Sequence, residues 1–258
     1  MNRTVLITGA SAGIGAEFAR QLHARGHDLI LVARRAERLK ESADKLNAVR
    51  PHSVEIMACD LTSAAALQAL VLQIRDREIE MLINNAGRGS FGRFDLLDSG
   101  GEQDLVALNI NATLTLAHAV VPGMIRRKRG TIVSVSSIAA FQPLPYMATY
   151  AATKAFNFFH SLALRYELKS HGIGVITVCP GPTATEFGQA SRVPGEMKEL
   201  RGDDVEMVVQ RAITAIERAR PYVITGARSH LLAWASRLLP AFFSAWVVEK
   251  LIRPRSLS

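Results

Sequence analysis

The sequence predicts an α/β protein built on one doubly wound, mainly parallel sheet of seven strands, followed by an apolar helical extension. Three observations carry this. Short apolar runs alternate with longer amphipathic stretches up to about residue 226, the order expected of repeated strand–helix–strand units. The runs are close to continuously apolar, as strands covered on both faces are. A glycine-rich segment from Gly9 to Gly15 lies between the first apolar run and the first amphipathic stretch.

Composition bounds the rest. A chain of 258 residues, 48% hydrophobic, suits one large domain with a substantial core. We expect a body at 1–228 and the extension at 229–258. The net charge of +8 raises nucleic acid or an anionic membrane as partners. The basic residues are mostly scattered among acids, however, and the single run, Arg126 to Arg129, follows a helical pattern whose dipole it complements. No aromatic interleaving accompanies the charge, so nucleic-acid binding is not expected. Cys59 and Cys179 each end an apolar run and make no disulfide framework, which indicates a reducing compartment. Val5 to Ile7 is too short for a signal sequence, so a cytoplasmic protein is expected. The histidines have no metal-ligand spacing and no metal is expected.

The elements follow in order. Strands are expected at Thr4–Ile7, Asp28–Ala33, Val54–Ala58, Met81–Ile83, Thr131–Val135, Val175–Val178 and Tyr222–Thr225. Helices are expected after the glycine-rich turn through Arg25, from Ala36 to Val49, from near Ser63, from about Gly101 to Arg127, around 150–171 and from about Asp203 to Arg218. Asn109 and Asn111 lie within the long 101–127 pattern, and an asparagine on an apolar helix face needs a partner or a local break. The stretch from Glu186 to Gly202 reads as a loop with a short helix.

Several segments carry chemistry. Strand, glycine-rich turn and helix form the context in which backbone approaches a pyrophosphate and the helix N-terminus attracts its charge. Strand two ends in Ala33, Arg34 and Arg35. No carboxylate is there to repel a ribose 2′-phosphate, and a guanidinium can pair with one, so NADP is favoured over NAD. Asp60 follows strand three, free for an adenine amino group if Thr62 or Ser63 caps the next helix. Asn84 to Gly87 closes strand four at its carboxyl end, where ligands bind in open parallel sheets. Tyr150 and Lys154 stand four residues apart on one helix face. A lysine ammonium beside a phenol lowers its pKa from the usual ~10, making the pair a candidate acid/base catalyst.

Thr8 to Gly15, Asn84 to Gly87, Ser137, Tyr150, Lys154 and Pro180 to Thr185, in this order, resemble the short-chain dehydrogenase/reductase family. The resemblance covers roughly residues 3 to 226. It implies a single Rossmann-like domain, NADP(H), a small-molecule carbonyl or alcohol substrate, and a homodimer or homotetramer packed through the helices near 101–127 and 150–171. It also implies roles. Tyr150 matches the catalytic acid/base, Lys154 the lysine that lowers its pKa and binds the nicotinamide ribose, Ser137 the hydrogen-bond donor to the substrate oxygen, and Asn109 (rather than Asn111) the asparagine that holds a relay water. Ser136 and Tyr146 are nearby decoys. For the cofactor, the resemblance points to Thr8, Gly9, Ser11, Gly13, Ile14 and Gly15, then Arg34 and Arg35, with Arg34 facing the 2′-phosphate. Asp60, Leu61, Asn85, Ala86 and Gly87 follow, with Tyr150, Lys154, Pro180, Gly181, Thr183 and Thr185. The expected activity is NADP(H)-dependent interconversion of a carbonyl and an alcohol. The alternative is a membrane-associated or non-catalytic dinucleotide-binding protein of the same fold.

The extension holds Leu231, Leu232, Trp234, Leu238, Leu239, Phe242, Phe243, Trp246, Val247, Val248, Leu251 and Ile252, interrupted at Arg237 and Pro240. Neither piece is long enough to span a bilayer. Two readings stay open: helices covering the substrate cleft or a dimer groove, or helices lying peripherally on a membrane. Both favour an apolar substrate.

Overall fold

The computed structural model describes residues 3–191 and 202–253. Seven strands form one parallel sheet: β1 Thr4–Thr8, β2 Asp28–Ala33, β3 Val54–Ala58, β4 Ile79–Asn84, β5 Gly130–Val135, β6 Ile173–Pro180 and β7 Tyr222–Thr225, in the order β3-β2-β1-β4-β5-β6-β7. The strands alternate their side chains between two helical layers. Val5, Ile7, Leu29 and Leu31 pack against α1 (Gly13–Ala24), α2 (Ala36–Val49) and, further along the chain, α8 (Val205–Glu217). Leu6, Ile30, Val32 and Leu82 pack on the opposite face, against α3 (Ala64–Ile74) and α5 (Ala112–Arg127). Both faces are covered, which is why the strands read as unbroken apolar runs.

Several expected ends move. β4 and β6 extend beyond Met81–Ile83 and Val175–Val178, because parallel neighbours on both sides pair backbone that the side-chain pattern alone does not mark. The long helical pattern is three pieces: α4 (Ser99–Val106), a π-helical turn at Ala107–Asn111, and α5. The widened turn sits at the expected break and holds Asn109, fully buried, while Asn111 is exposed. Ser99–Arg127 as a whole is long and apolar enough to cross a membrane, but Leu105, Leu116, Val120 and Met124 along it are buried in the core.

α6 (Ala148–Leu168) carries the tyrosine–lysine pair, and a short helix, α7 (Phe187–Ala190), follows β6. The rest of the loop expected at 186–202 lies largely outside the described residues. After β7 come α9 (Ala227–Leu238) and α10 (Ala241–Ile252), parted at Leu239 and Pro240; the break expected at Pro240 is there, while Arg237 lies within α9. Cys59 and Cys179 are buried on separate strand ends and form no disulfide.

Candidate active site

The topology puts a crevice at one place. From β1 the chain winds outward to β3, then returns to the other side of β1 as β4, so the carboxyl ends of β1 and β4 flank the switch point where such sheets bind ligands. Two segments meet there. Thr8 at the end of β1 donates from Oγ1 to the Ile83 carbonyl at 3.3 Å and accepts from the Asn85 and Ala86 backbone amides at 3.0 Å each. Asn85 returns a bond from Nδ2 to the Thr8 carbonyl at 2.8 Å. The glycine turn is thereby pinned to the end of β4. Gly9 takes φ +65°, and a Cβ there would meet Asn85 and Ala86 within 3 Å. At Gly15 a Cβ would lie 2.3 Å from the Gly9 carbonyl oxygen, so the first turn of α1 packs onto the loop only with glycine.

That first turn carries no acid, and its N-cap Ala12 makes no side-chain cap bond. Among the described residues, no side chain competes for the amides that would receive a pyrophosphate. Ile14 and Leu61 turn their side chains into the core clusters and leave only backbone to offer a ligand. Ser63 caps α3, accepting from the Ala66 amide. Asp60 instead accepts from the Thr62 amide at 3.0 Å and hydroxyl at 2.8 Å. The Thr62 amide bond, with the nearby Arg34 charge, holds the Asp60 carboxyl below its usual range.

At the end of β2, Arg35, the N-cap residue of α2, is the arginine whose guanidinium reaches the glycine turn. Arg35 donates to Ser11 Oγ from Nη2 at 3.0 Å and from Nε at 3.2 Å. Its Nη1 donates to Glu186 at 2.9 Å, and Arg38 donates to both oxygens of that carboxylate at 2.7 and 2.9 Å. An anion is thus already held between two guanidiniums beside Ser11. Sequence reasoning missed Arg38 and Glu186. Arg38 was legible as the third arginine of Arg-Arg-x-x-Arg, one helical turn from Arg35; Glu186 lies 148 residues away from it and was not.

The chemical end of the crevice is built by β5, α6 and the π-turn. Tyr150 is buried, with the Ser137 side chain beside its hydroxyl; Ser137 Oγ accepts from the Ala139 amide at 3.1 Å. Lys154 is buried one turn further along α6, its Nζ 5.8 Å from the Tyr150 ring centroid and donating to the Val135 carbonyl at 2.9 Å. Burial pushes Tyr150 up to about 12, against a smaller lowering from Ser137, and pushes Lys154 down to about 8. Desolvation therefore outweighs the lysine's expected effect on the phenol, because the ammonium sits on the Val135 carbonyl rather than on the hydroxyl. Asn109 fixes the third side: its Nδ2 donates to the Arg88 carbonyl at 3.0 Å and Thr153 Oγ1 at 2.9 Å, and its Oδ1 accepts from the Arg88 amide at 3.1 Å. Thr153, three residues after Tyr150, is a second omission of the sequence reading. At Gly87, a Cβ would come within 3.3 Å of both Asn109 and Lys154.

The decoys have other work. Ser136 donates to the Lys154 backbone carbonyl at 2.7 Å, and Tyr146 donates from its hydroxyl to Glu249. The segment after β6 forms the cover. Pro180 ends the strand, Thr183 donates to the Gly181 carbonyl, and Thr185 lies against Gly13. Phe187 stands 5.5 Å from the Tyr150 ring, centroid to centroid. Phe187, Phe91, Leu144 and Met147 pack with Tyr150 in one apolar cluster.

The chain is similar to known proteins in sequence and fold. A short-chain dehydrogenase from Sphingobium yanoikuyae, solved in complex with NADPH, is 37% identical, with TM-score 0.83 over 90% of this chain and 93% of that one. A very-long-chain 3-oxoacyl-CoA reductase from Ajellomyces capsulatus is 33% identical over 80% of this chain, and inactive hydroxysteroid dehydrogenase-like protein 1 from Homo sapiens is 32% identical over 72%. The chain spans only 59% and 57% of the lengths of those two relatives. Residues 3–194 match the family model for short chain dehydrogenase. Because that match runs through every strand of the sheet but the last, the chain belongs to the short-chain dehydrogenase family.

Proposed function

We propose that the protein is an NADP(H)-dependent oxidoreductase that interconverts a carbonyl and an alcohol on an apolar substrate. The observation that carries this is the buried Tyr150 hydroxyl, beside Ser137 and one helical turn from the buried Lys154, at the carboxyl end of the sheet. The bound nicotinamide supplies the hydride in reduction and accepts it in oxidation. Tyr150 donates its proton to the substrate oxygen, and Ser137 donates a hydrogen bond to the same oxygen as negative charge develops on it. With its pKa near 12 the phenol is fully protonated at neutral pH, the form reduction needs. Lys154 is the cation that offsets the cost of the phenolate left behind. Asn109 positions α6 through Thr153 and the 88 loop through Arg88. The apolar cluster around Tyr150 and the fatty-acyl thioester in the Ajellomyces reductase's name support the substrate class, and the NADPH in the Sphingobium structure supports the cofactor.

The test is a screen of NADPH oxidation over aldehydes, ketones and acyl thioesters. Turnover on an apolar carbonyl compound supports the proposal. The word "inactive" in the human relative's name motivates the alternative, a dinucleotide-binding protein without chemistry. NADPH binding with no turnover across the screen would favour that alternative.

The cradle at the end of β2 selects the cofactor. Glu186 holds the position of an anion between Arg35 and Arg38, and a 2′-phosphate would replace it with more charge. A charge-assisted pair is worth about 1.5–3 kcal/mol, so NADPH should bind about one to two decades more tightly than NADH. Titrations of cofactor fluorescence check this. Arg35→Met should erode the preference, and Glu186→Gln should tighten NADPH without altering NADH. A wild type that prefers NADH, or a Glu186→Gln effect equal on both cofactors, contradicts the assignment.

Phe159 and Tyr166 on α6 are 64% and 75% exposed and lie seven residues apart on one helix face. They favour a homodimer through α5 and α6. Phe159→Glu with Tyr166→Glu should halve the mass measured by light scattering; an unchanged mass places the contact elsewhere.

A further inference from the structure

We infer that α9 and α10 form a docking face for an anionic lipid surface, lying in the plane of the headgroups. Both helices are amphipathic with the polarity of an ordinary surface helix reversed. α9 buries Ser229, Ala233 and Ser236 and turns Leu231, Leu232, Trp234 and Leu238 outward. α10 buries Ser244 and Val248 and turns Phe242, Phe243, Trp246 and Leu251 outward. Exposure reaches 63% for Trp234 and 78% for Phe242. A soluble surface helix places its large apolar residues inward, and contiguous apolar surface on this scale marks a contact.

The inward faces already have partners. Ala233 sits in a cluster with Phe158, Cys179 and Ile224, Ser244 donates to Gln142, and Glu249 accepts from Tyr146 at 3.2 Å. The helices are therefore seated on the body of the protein, and the outward face is presented by a fixed support.

Length and charge choose the occupant. Each helix has 12 residues, a length of about 18 Å at 1.5 Å per residue, against a hydrocarbon core of about 30 Å. Neither can span, and the break at Leu239–Pro240 lets both lie flat. Residues 227–258 contain Arg228, Arg237, Lys250, Arg253 and Arg255 against the one acid Glu249, a net +4 that is half of the chain's +8. Glu249 itself is paired with Arg253 at 2.6 Å. A second copy packed face to face through a two-fold axis would set this charge against itself. An anionic leaflet complements it, accepts the apolar side chains, and suits tryptophan at its interface. The contacts of Gln142 and Tyr146 place the docked helices against the loop between Ser137 and Tyr150. The docking itself does not depend on the chemistry proposed for that site.

The experiment is sedimentation of the full chain with sucrose-loaded vesicles of phosphatidylcholine alone or mixed equally with phosphatidylglycerol. The wild type is expected to pellet with the mixed vesicles, weakly with the neutral ones, and to be released by added salt, which screens the basic residues. Trp234→Ser with Trp246→Ser should lower the partition coefficient at least about tenfold, since each ring loses its burial in the interface. The variant should keep wild-type circular dichroism and NADPH binding, which separates lost docking from lost folding. A wild type that stays in the supernatant with mixed vesicles overturns the inference, as does a variant that pellets equally. If the wild type does not pellet and the double substitution lowers its oligomeric mass, the face belongs to a second copy and the inference fails.

Discussion

Tyr150→Phe is expected to lower kcat for carbonyl reduction by about 10²–10⁴, the span of acid/base contributions, while NADPH binds nearly as before. The substitution removes one oxygen. The ring keeps its place against Phe187 and in the cluster of Phe91, Leu105 and Met147, so packing survives. What is lost is the hydroxyl whose proton must reach the substrate oxygen. Steady-state kinetics paired with cofactor titration check both halves. Turnover at the wild-type rate would remove Tyr150 from the mechanism, and a parallel loss of NADPH affinity would show that its role is cofactor binding.

Lys154→Met is expected to lower kcat/KM by about 10²–10³, the cost of removing one preorganised charge near the developing phenolate, and to change the pH profile. Burial holds the ammonium near 8, so the lysine is charged below that pH and neutral above it. In the wild type, kcat/KM for NADPH, which reports groups of the cofactor-free enzyme, should fall as pH rises through about 8. The methionine variant should lack that alkaline limb. Stability follows with the opposite sense. An unfolded lysine titrates near ~10.4, so the folded state carries the full cost of the buried charge below pH 8 and is relieved of it between about 8 and 10.4. At neutral pH the net cost is on the order of 3 kcal/mol from that difference. The variant should therefore melt no lower than the wild type at pH 7, which calorimetry would show. A variant that keeps the alkaline limb assigns the titration to another group.

The order of strands and helices was readable because both faces of the sheet are covered, and continuous apolar runs separated by amphipathic stretches have few other solutions. Asn109 was readable as an anomaly: a polar residue on an apolar face demanded a break, and the π-turn is that break. The exposure of Asn111 and the burial of Asn109 followed only from where the widened turn points each side chain. Ser136 and Ser137 are adjacent and chemically identical; past the end of β5 one donates to the Lys154 carbonyl while the other accepts from the Ala139 amide beside Tyr150.

The sequence by itself determined the parallel sheet, the glycine turn with its helix, and the spacing of Tyr150 and Lys154, because all of these are set by local periodicity and by which residue types a turn or a helix face accepts. Tertiary structure alone decided which arginine meets Ser11, that Glu186 closes the cradle, and that the lysine donates to Val135 rather than to the phenol. It also decided that the last two helices turn their large side chains outward. Each of these depends on contacts between segments far apart in the chain. Local pattern marks a face as apolar, but only the packed neighbours fix what that face meets.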